Sequence, residues 1–392
     1  MSRCRTFKYK LNPTDTQRED LERLIAGQRE LYNAALEERR GAWKWERRSV
    51  SYEDQTATLT QLREVRSDIV AFGVTVCRWT LRRLDRAFCA FYRRCRSGET
   101  PGFPRFKAVG SFDSIQWEDT SGWKLDEEAK RLRVLGIGEI KVRLHRPTRG
   151  IAKAITIKRE GERYWLSVRC VEVPAEPLPV TGRSVGIDLG VEVLVATSDG
   201  RTFRGPRFFQ RSETRLASAQ QVVNRKQKGS GRWKKAKAEV RRIHRKIRNQ
   251  RIDALHQLSR ELVDAYDLIV HEDLKITSMT RRPKPRPNGE GGFEKNGARA
   301  KSGLNRSIHD AGWGTFLAMT SYKAESAGRE ILAVDPRNTS RRCGSCGHTE
   351  AGNRRGAVFR CLGCGHEAHA DVNAAQNILR AGRAQQLESL TA

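Results

Sequence analysis

Apolar residues recur three or four positions apart from Leu21 through Leu24, Ile25, Leu31, Tyr32 and Ala35, the period that lays one face of a helix against a core. Thr14 and Gln17 stand in capping-box register, so the spacing predicts a helix that opens just after Pro13. The stretch before it, Thr6 to Leu11, reads as a short strand. A second helix is predicted over Glu53 to Ser67. A third carries Val74, Cys77, Leu81, Leu84, Phe88 and Phe91 on one face and arginines on the other. The period then changes. SGETPGFPRFK breaks the helix with Gly and Pro, and from Ser111 to Val173 the signals are those of short strands: Asp113 to Trp117, Ile140 to Leu144, Ala152 to Lys158 and Tyr164 to Val173. Closed with the N-terminal strand, these make a small β-barrel into which the helices are inserted.

Pro174 to Thr181, rich in proline, reads as a linker, and a new domain begins at Val185. SVGIDLG, VEVLVATSDG and RTFRG predict a strand, a hairpin and another strand. A long helical region is predicted from Ser212 to Ala265, with Val240, Ile243, Ile247, Leu255, Leu258 and Leu262 as its buried stripe. DLIVHEDL has the unbroken apolar run of a buried strand. Arg281 to Gly303, dense in Pro, Gly, Asn and charge, predicts a mobile loop or lid. A helix over Trp313 to Ala327, a strand over Ile331 to Val334 and a last helix over Asn373 to Gly382 close the chain. The fold class is α+β and multidomain, with no internal repeat.

Composition narrows the partner. The chain has 392 residues, enough for two or three domains each with its own core, and 75 Lys and Arg face 46 acidic residues for a formal charge of +29. Such a surface favours a polyanion. The N-terminus MSRCRTFKYKL lacks an apolar signal core, and eighteen apolar residues never run together, which disfavours secretion and membrane spanning and leaves nucleic acid in the cytoplasm. Basic residues concentrate on the long helix: from Arg225 to Arg251 there are thirteen, against one acid, Glu239. A solvated face seldom needs so one-sided a charge, so Arg232, Lys234, Lys235, Arg241, Arg242, Arg245, Lys246 and Arg248 are candidate backbone contacts. Arg105 and Lys107 in GFPRFK, and Arg341 and Arg342 beside a cysteine cluster, join them.

That cluster is CGSC, at Cys343 and Cys346, followed after fourteen residues by CLGC, at Cys361 and Cys364. Two such knuckles place four thiolates in tetrahedral reach, a soft donor set that suits Zn²⁺ and leaves no open position, so the site is expected to be structural. Gly344, Gly347, Gly363 and Gly365 give the turns their backbone freedom. The remaining cysteines, Cys4, Cys77, Cys89, Cys95 and Cys170, have no framework spacing.

Three acids sit at the ends of predicted elements: Asp188 in GIDLG, Glu272 in IVHEDL and Asp371 in HADVNAAQNIL. Singly they read as a turn aspartate, an edge charge and a helix cap. If the two strands are neighbours in one sheet and the last helix packs beside it, all three converge, and like charges brought together need a cation. Hard oxygen donors select Mg²⁺ or Mn²⁺, which in pairs serve phosphodiester hydrolysis. Asp273 is a possible substitute for Glu272.

These residues resemble the TnpB family, nucleases encoded by bacterial insertion sequences and similar to compact type V CRISPR effectors. SVGIDLG, IVHEDL and HADVNAAQNIL, with CGSC and CLGC between the last two, look like its split RuvC motifs and zinc ribbon, and LYNAALEERRGAW, LDRAFCAFYRR, GFPRFK and SIHDAGWGTFL extend the likeness over nearly the whole chain. The resemblance implies a wedge-like β-barrel (residues 1–10 and 105–180) with an inserted helical recognition lobe (11–104), then an RNase H-like RuvC domain (183–340 and 367–392) interrupted by the zinc ribbon (341–366). It implies that Asp188, Glu272 and Asp371 form a Mg²⁺-binding catalytic triad, that a noncoding guide RNA is bound, and that target DNA is cut. Sequence reading is then delegated to base pairing while the protein grips the heteroduplex backbone. His369 stands where the family often has an acid, and the 281–303 loop is longer than usual. A binding regulator that does not cleave, a type V effector and a stand-alone resolvase remain the alternatives; nothing in the sequence fixes the oligomeric state.

Overall fold

The computed structural model describes residues 4–289 and 291–391 and divides into two compact units, 1–174 and 175–392. The first opens with β1 (Arg5–Asn12), passes through α1 (Asp15–Gly41), α2 (Tyr52–Ala57), α3 (Leu59–Val65), α4 (Ser67–Val70) and α5 (Val74–Arg96), and returns to strands β2 (Ser114–Trp117), β3 (Trp123–Asp126), β4 (Arg131–Val134), β5 (Gly138–Arg143), β6 (Ile151–Glu160) and β7 (Arg163–Val171). The strands form one antiparallel sheet ordered β2-β6-β7-β1-β5-β4-β3, with β2 and β3 at its edges. β1 lies mid-sheet, so α1 to α5 are an insertion between a central strand and the rest. One apolar core, from Phe7 and Tyr9 through Leu24, Leu81 and Leu84 to Leu166 and Val168, joins helices and sheet.

Helix α1 starts as expected, with Thr14 accepting from the Gln17 amide and the Gln17 side chain accepting from that of Thr14. The helix expected over 53–67 is instead three short ones. Thr56 and Thr58 turn their hydroxyls back on the Glu53 and Gln55 carbonyls, a competition that weakens helix interiors. Buried Gln55 anchors the segment by donating to the Ala35 carbonyl and to Glu38. The β3–β4 hairpin stands outside the strands that alternation predicts.

The second unit begins with β8 (Ser184–Asp188), β9 (Val193–Thr197) and β10 (Thr202–Arg204), followed by α6 (Phe208–Asn224), α7 (Gly231–Ala265), β11 (Leu268–Glu272), α8 (Ile276–Met279), α9 (Ala298–Ala311), α10 (Trp313–Ala327) and β12 (Glu330–Val334). Three short strands, β13 (Arg354–Arg355), β14 (Val358–Arg360) and β15 (Glu367–His369), precede α11 (Ala370–Thr391). The main sheet is ordered β10-β9-β8-β11-β12: β8, β9 and β10 form an antiparallel meander, and β11 and β12 continue it in parallel from β8. Three consecutive buried residues in β8 and in β11 mark strands covered on both faces. One face carries Leu255, Leu262, Trp313 and Phe316 from α7 and α10, and the other carries Ile378 of α11.

The helical region expected over 212–265 is two helices. Gly229, at φ +90°, ends the turn between them, and Ser230 caps α7 by accepting from the Trp233 amide at 3.1 Å, a start signal that lies ahead of the apolar stripe. The two pack around Leu216, Ile243 and Ile247. The described residues of the 281–303 stretch form no long element before Ala298, where α9 begins. Among the described residues, no helix is long and apolar enough to cross a membrane.

Candidate metal and nucleic-acid site

Asp188 closes β8 and Glu272 closes β11. The strands run parallel with Ile187 opposite His271, so both acids leave the sheet at its carboxyl edge, where ligand sites of such sheets gather. Asp371 lies in the first turn of α11, which begins two residues earlier than a cap role would require. Two glycines let this helix lie directly on the sheet. A Cβ on Gly186 of β8 would overlap the Ala375 carbonyl and the Leu379 amide, and one on Gly382 would meet the Val270 methyls at 2.5 Å.

The electrostatics follow from that convergence. The Asp188 carboxyl is pushed up from 3.8 to about 7, first by burial and then by the charges of Glu272 and Asp371, with Arg354 opposing them. Burial also raises Glu272, offset by the Thr339 hydroxyl and by Arg354. Acids from sequence-distant elements thus act on one another electrostatically, although among the described residues only the four cysteines gather their donor atoms within 4.8 Å. Asp273 is exposed and is not among the charges acting on Asp188. Two further groups of the site carry no signal along the chain. Arg354 pairs with Asp371 at 2.8 Å, and Thr339 donates to Glu272 Oε1 at 2.5 Å.

The four thiols of Cys343, Cys346, Cys361 and Cys364 lie within 4.8 Å of one another, close enough for one tetrahedral ion. The two knuckles are built alike. The Ser345 amide donates to Cys343 Sγ and the Cys364 amide to Cys361 Sγ, both at 3.4 Å. Gly347 and Gly365 adopt φ of +80° and +74°. Gly344 and Gly363 serve differently, since a Cβ there would press on Asn373 and Gln376, and on the His348 ring. The ribbon leads without a linker into the third acid: β15 ends at His369, and the Ala370 amide still bonds the Ala357 carbonyl at 2.9 Å.

Of the basic candidates on α7, Arg232, Lys234, Lys235, Arg241, Arg242, Lys246 and Arg248 are exposed and Arg245 is half-buried. Arg242 is tied to Glu239 in a two-point contact. Arg341 and Arg342 are exposed beside the first knuckle. In the other unit Arg105 is exposed, whereas Lys107 is half-buried, its backbone clasped by Asn33 at 2.8 and 3.1 Å.

Residues 168–282 match a family model described as a probable transposase, and residues 313–378 one described as a Cas12f1-like TNB domain. Residues 1–48 match one described as a helix-turn-helix domain, although their described part is strand β1, one long helix and a terminal π-helical turn. A protein of Escherichia coli (strain K12) named as a putative RNA-guided DNA endonuclease, InsQ, is 32% identical over 98% of this chain and 94% of its own. One of the same designation from Streptomyces pristinaespiralis is 34% identical over 97% and 90%. The solved mini-RNA-guided endonuclease CRISPR-Cas_phi3 superposes with a TM-score of 0.47 at 10% identity, covering 97% of this chain and 92% of that one. With relatives this similar along nearly its entire length, the chain belongs to the TnpB family, whose resemblance its motifs carried.

Proposed function

We propose that this protein is an RNA-guided DNA endonuclease that binds a noncoding guide RNA and cuts target DNA at Asp188, Glu272 and Asp371. The observation that carries the reading is the Asp188 carboxyl, pushed up to about 7 by burial and by acids that arrive from 84 and 183 residues away in sequence (272 − 188 and 371 − 188). A group held so far from its ordinary range by burial first, and by like charges second, is a candidate for holding a cation. The three carboxylates would hold Mg²⁺ or Mn²⁺, which when bound supplies an activated water and charge stabilisation for in-line hydrolysis. The chain's own part is to set those donors at one edge of a rigid sheet, shelter Asp188 from bulk water, and neutralise Asp371 through Arg354 until the site is loaded. The four cysteines would hold Zn²⁺ and keep the ribbon folded.

The unit 1–174 would be the wedge-like β-barrel with its inserted helical recognition lobe. The unit 175–392 would be the RNase H-like RuvC domain with its inserted ribbon, a reading supported by the meander-plus-parallel order of its sheet. The exposed cations of α7 would grip guide or heteroduplex phosphates.

The test is plasmid cleavage by protein purified with its copurifying RNA, in Mg²⁺, beside Asp188→Ala. Cleavage by wild type alone supports the proposal. Equal binding by both with no cleavage by either identifies a binding regulator instead.

A further inference from the structure

The segment joining β12 to the first cysteine knuckle is fastened unusually tightly for a connection. Asn338 takes a left-handed conformation at φ +63°, and its carbonyl accepts from the Arg341 and Arg342 amides, each at 3.0 Å. The turn thus made presents Thr339, which is buried. Its hydroxyl lies 2.5 Å from Glu272 Oε1 and 3.0 Å from the Pro336 carbonyl. A hydroxyl has one proton to give, and the shorter, charge-assisted contact is the stronger.

Two buried amides of α11 hold the turn in place. Asn377 donates to the Thr339 carbonyl at 2.9 Å and to the Arg342 carbonyl at 2.6 Å. Asn373 donates to the Arg342 carbonyl and accepts from the Gly344 amide, both at 2.8 Å. Gly344 follows Cys343 directly, and Asn373 lies two residues after Asp371. One helix therefore carries the third acid, clamps the knuckle, and fixes the hydroxyl that orients the second acid.

We infer that Thr339 is a positioning residue for Glu272: its hydroxyl, aimed by Asn373 and Asn377, holds one carboxylate oxygen so that the other stays directed at the shared site. The inference rests on the reading of Glu272 as a metal ligand and adds to it the group that sets its geometry. A buried threonine that merely satisfies its own hydroxyl could do so on the Pro336 carbonyl alone; the contact to the acid is what assigns the role. Partners that orient a liganding side chain commonly change metal affinity by about 10- to 100-fold when removed.

The experiment measures Mn²⁺ binding by electron paramagnetic resonance in the full chain, purified with its RNA and with no cleavable DNA present. The variants are Thr339→Val, Thr339→Ala, Thr339→Ser and, as the reference loss, Glu272→Gln. Zinc content and melting temperature are recorded for each. Removing the hydroxyl with Val or Ala is expected to weaken Mn²⁺ binding by about 10-fold or more, with zinc retained. Serine, which keeps the donor, is expected to restore affinity to within about threefold. Ala removes the donor without placing a methyl against the carboxylate, so it decides the matter if Val does not fold. Wild-type affinity in either folded variant, or failure of Ser to rescue, overturns the inference. Unchanged affinity in Glu272→Gln is a distinguishable result, since it removes Glu272 from the ligand set and overturns the functional reading itself.

Discussion

Replacing Asp188 with Asn should make the divalent-free protein more stable, although it removes the residue on which the proposed activity depends. The carboxyl rises from 3.8 to about 7 on folding, and at about 1.4 kcal/mol for each pH unit this corresponds to about 4 kcal/mol at neutral pH. The sign follows from the direction. A carboxyl that binds its proton more tightly when folded adds stability below its unfolded value, and that contribution is lost as pH rises through the folded value. Wild type should therefore lose stability between about pH 4 and 7, relative to a variant that carries no charge at 188. Asn keeps the shape but weakens the acceptor for the Leu189 amide, so a net gain of about 2–4 kcal/mol is expected. For a unit of this size that is a rise of roughly 5–15 °C in melting temperature. The assay is differential scanning fluorimetry of both proteins at pH 7.5 and pH 5, zinc retained, with and without Mg²⁺. Asn should melt higher at pH 7.5 without Mg²⁺, the gap should shrink toward pH 5, and Mg²⁺ should raise wild type alone. A variant that melts at or below wild type at pH 7.5 without Mg²⁺ would refute the claim that the three acids act on one another.

Cys343→Ser should abolish stoichiometric zinc binding, read by a metallochromic dye, because the ribbon's own core is only Cys343, Phe359, Cys361 and Ala370 and cannot fold without the ion. Gly186→Ala should cost about 3 kcal/mol or more in urea unfolding, since the new methyl would overlap the α11 backbone; a destabilisation below about 1 kcal/mol would show that the helix can move away. Changing Lys234, Lys235, Arg241 and Lys246 together to Gln should weaken guide-RNA binding without altering the melting temperature. The slope of log affinity against log salt should fall by about 0.7–0.9 for each phosphate that is no longer neutralised, and an unchanged slope would place the RNA elsewhere.

Elements whose signal is local were legible. Thr14 and Gln17 capped α1 where the capping box put them, and the apolar runs at Val185 and Leu268 became the two central strands of the second sheet. Errors fell where a tertiary contact decides. The 53–67 helix is broken where Thr56 and Thr58 turn their hydroxyls back on the Glu53 and Gln55 carbonyls, while Gln55 is tied to the Ala35 carbonyl, an arrangement no periodicity expresses. The 212–265 helix was overrun because Gly229 and Ser230 of KGSG end one helix and cap the next, ahead of the apolar stripe that starts at Val240. The last helix was expected from Asn373, but the ribbon's final strand hands its ladder directly to Ala370, so it starts at Ala370.

The site divides in the same way. Asp188, Glu272 and Asp371 were legible as residue types at element ends, and the step from three separate acids to one cluster depends on strand order and on two glycines. Gly186 and Gly382 had no apparent purpose in the sequence, yet any side chain at either would lift α11 off β8 and β11 and carry Asp371 away from Asp188. Arg354 and Thr339 could not be found by reading along the chain, because one sits in a two-residue strand and the other in a connection, and the partner of each is distant in sequence. Both were nonetheless constrained by their neighbours. Arg354 opens the three-stranded ribbon sheet whose last strand ends at His369, two residues before Asp371, and Thr339 lies in the turn, from Asn338 to Arg342, that precedes Cys343. The interleaving of acid, ribbon and acid along the chain therefore has a physical consequence: the fold of the four-cysteine insertion bears on the position of the carboxylate that follows it and on the contacts of the one that precedes it.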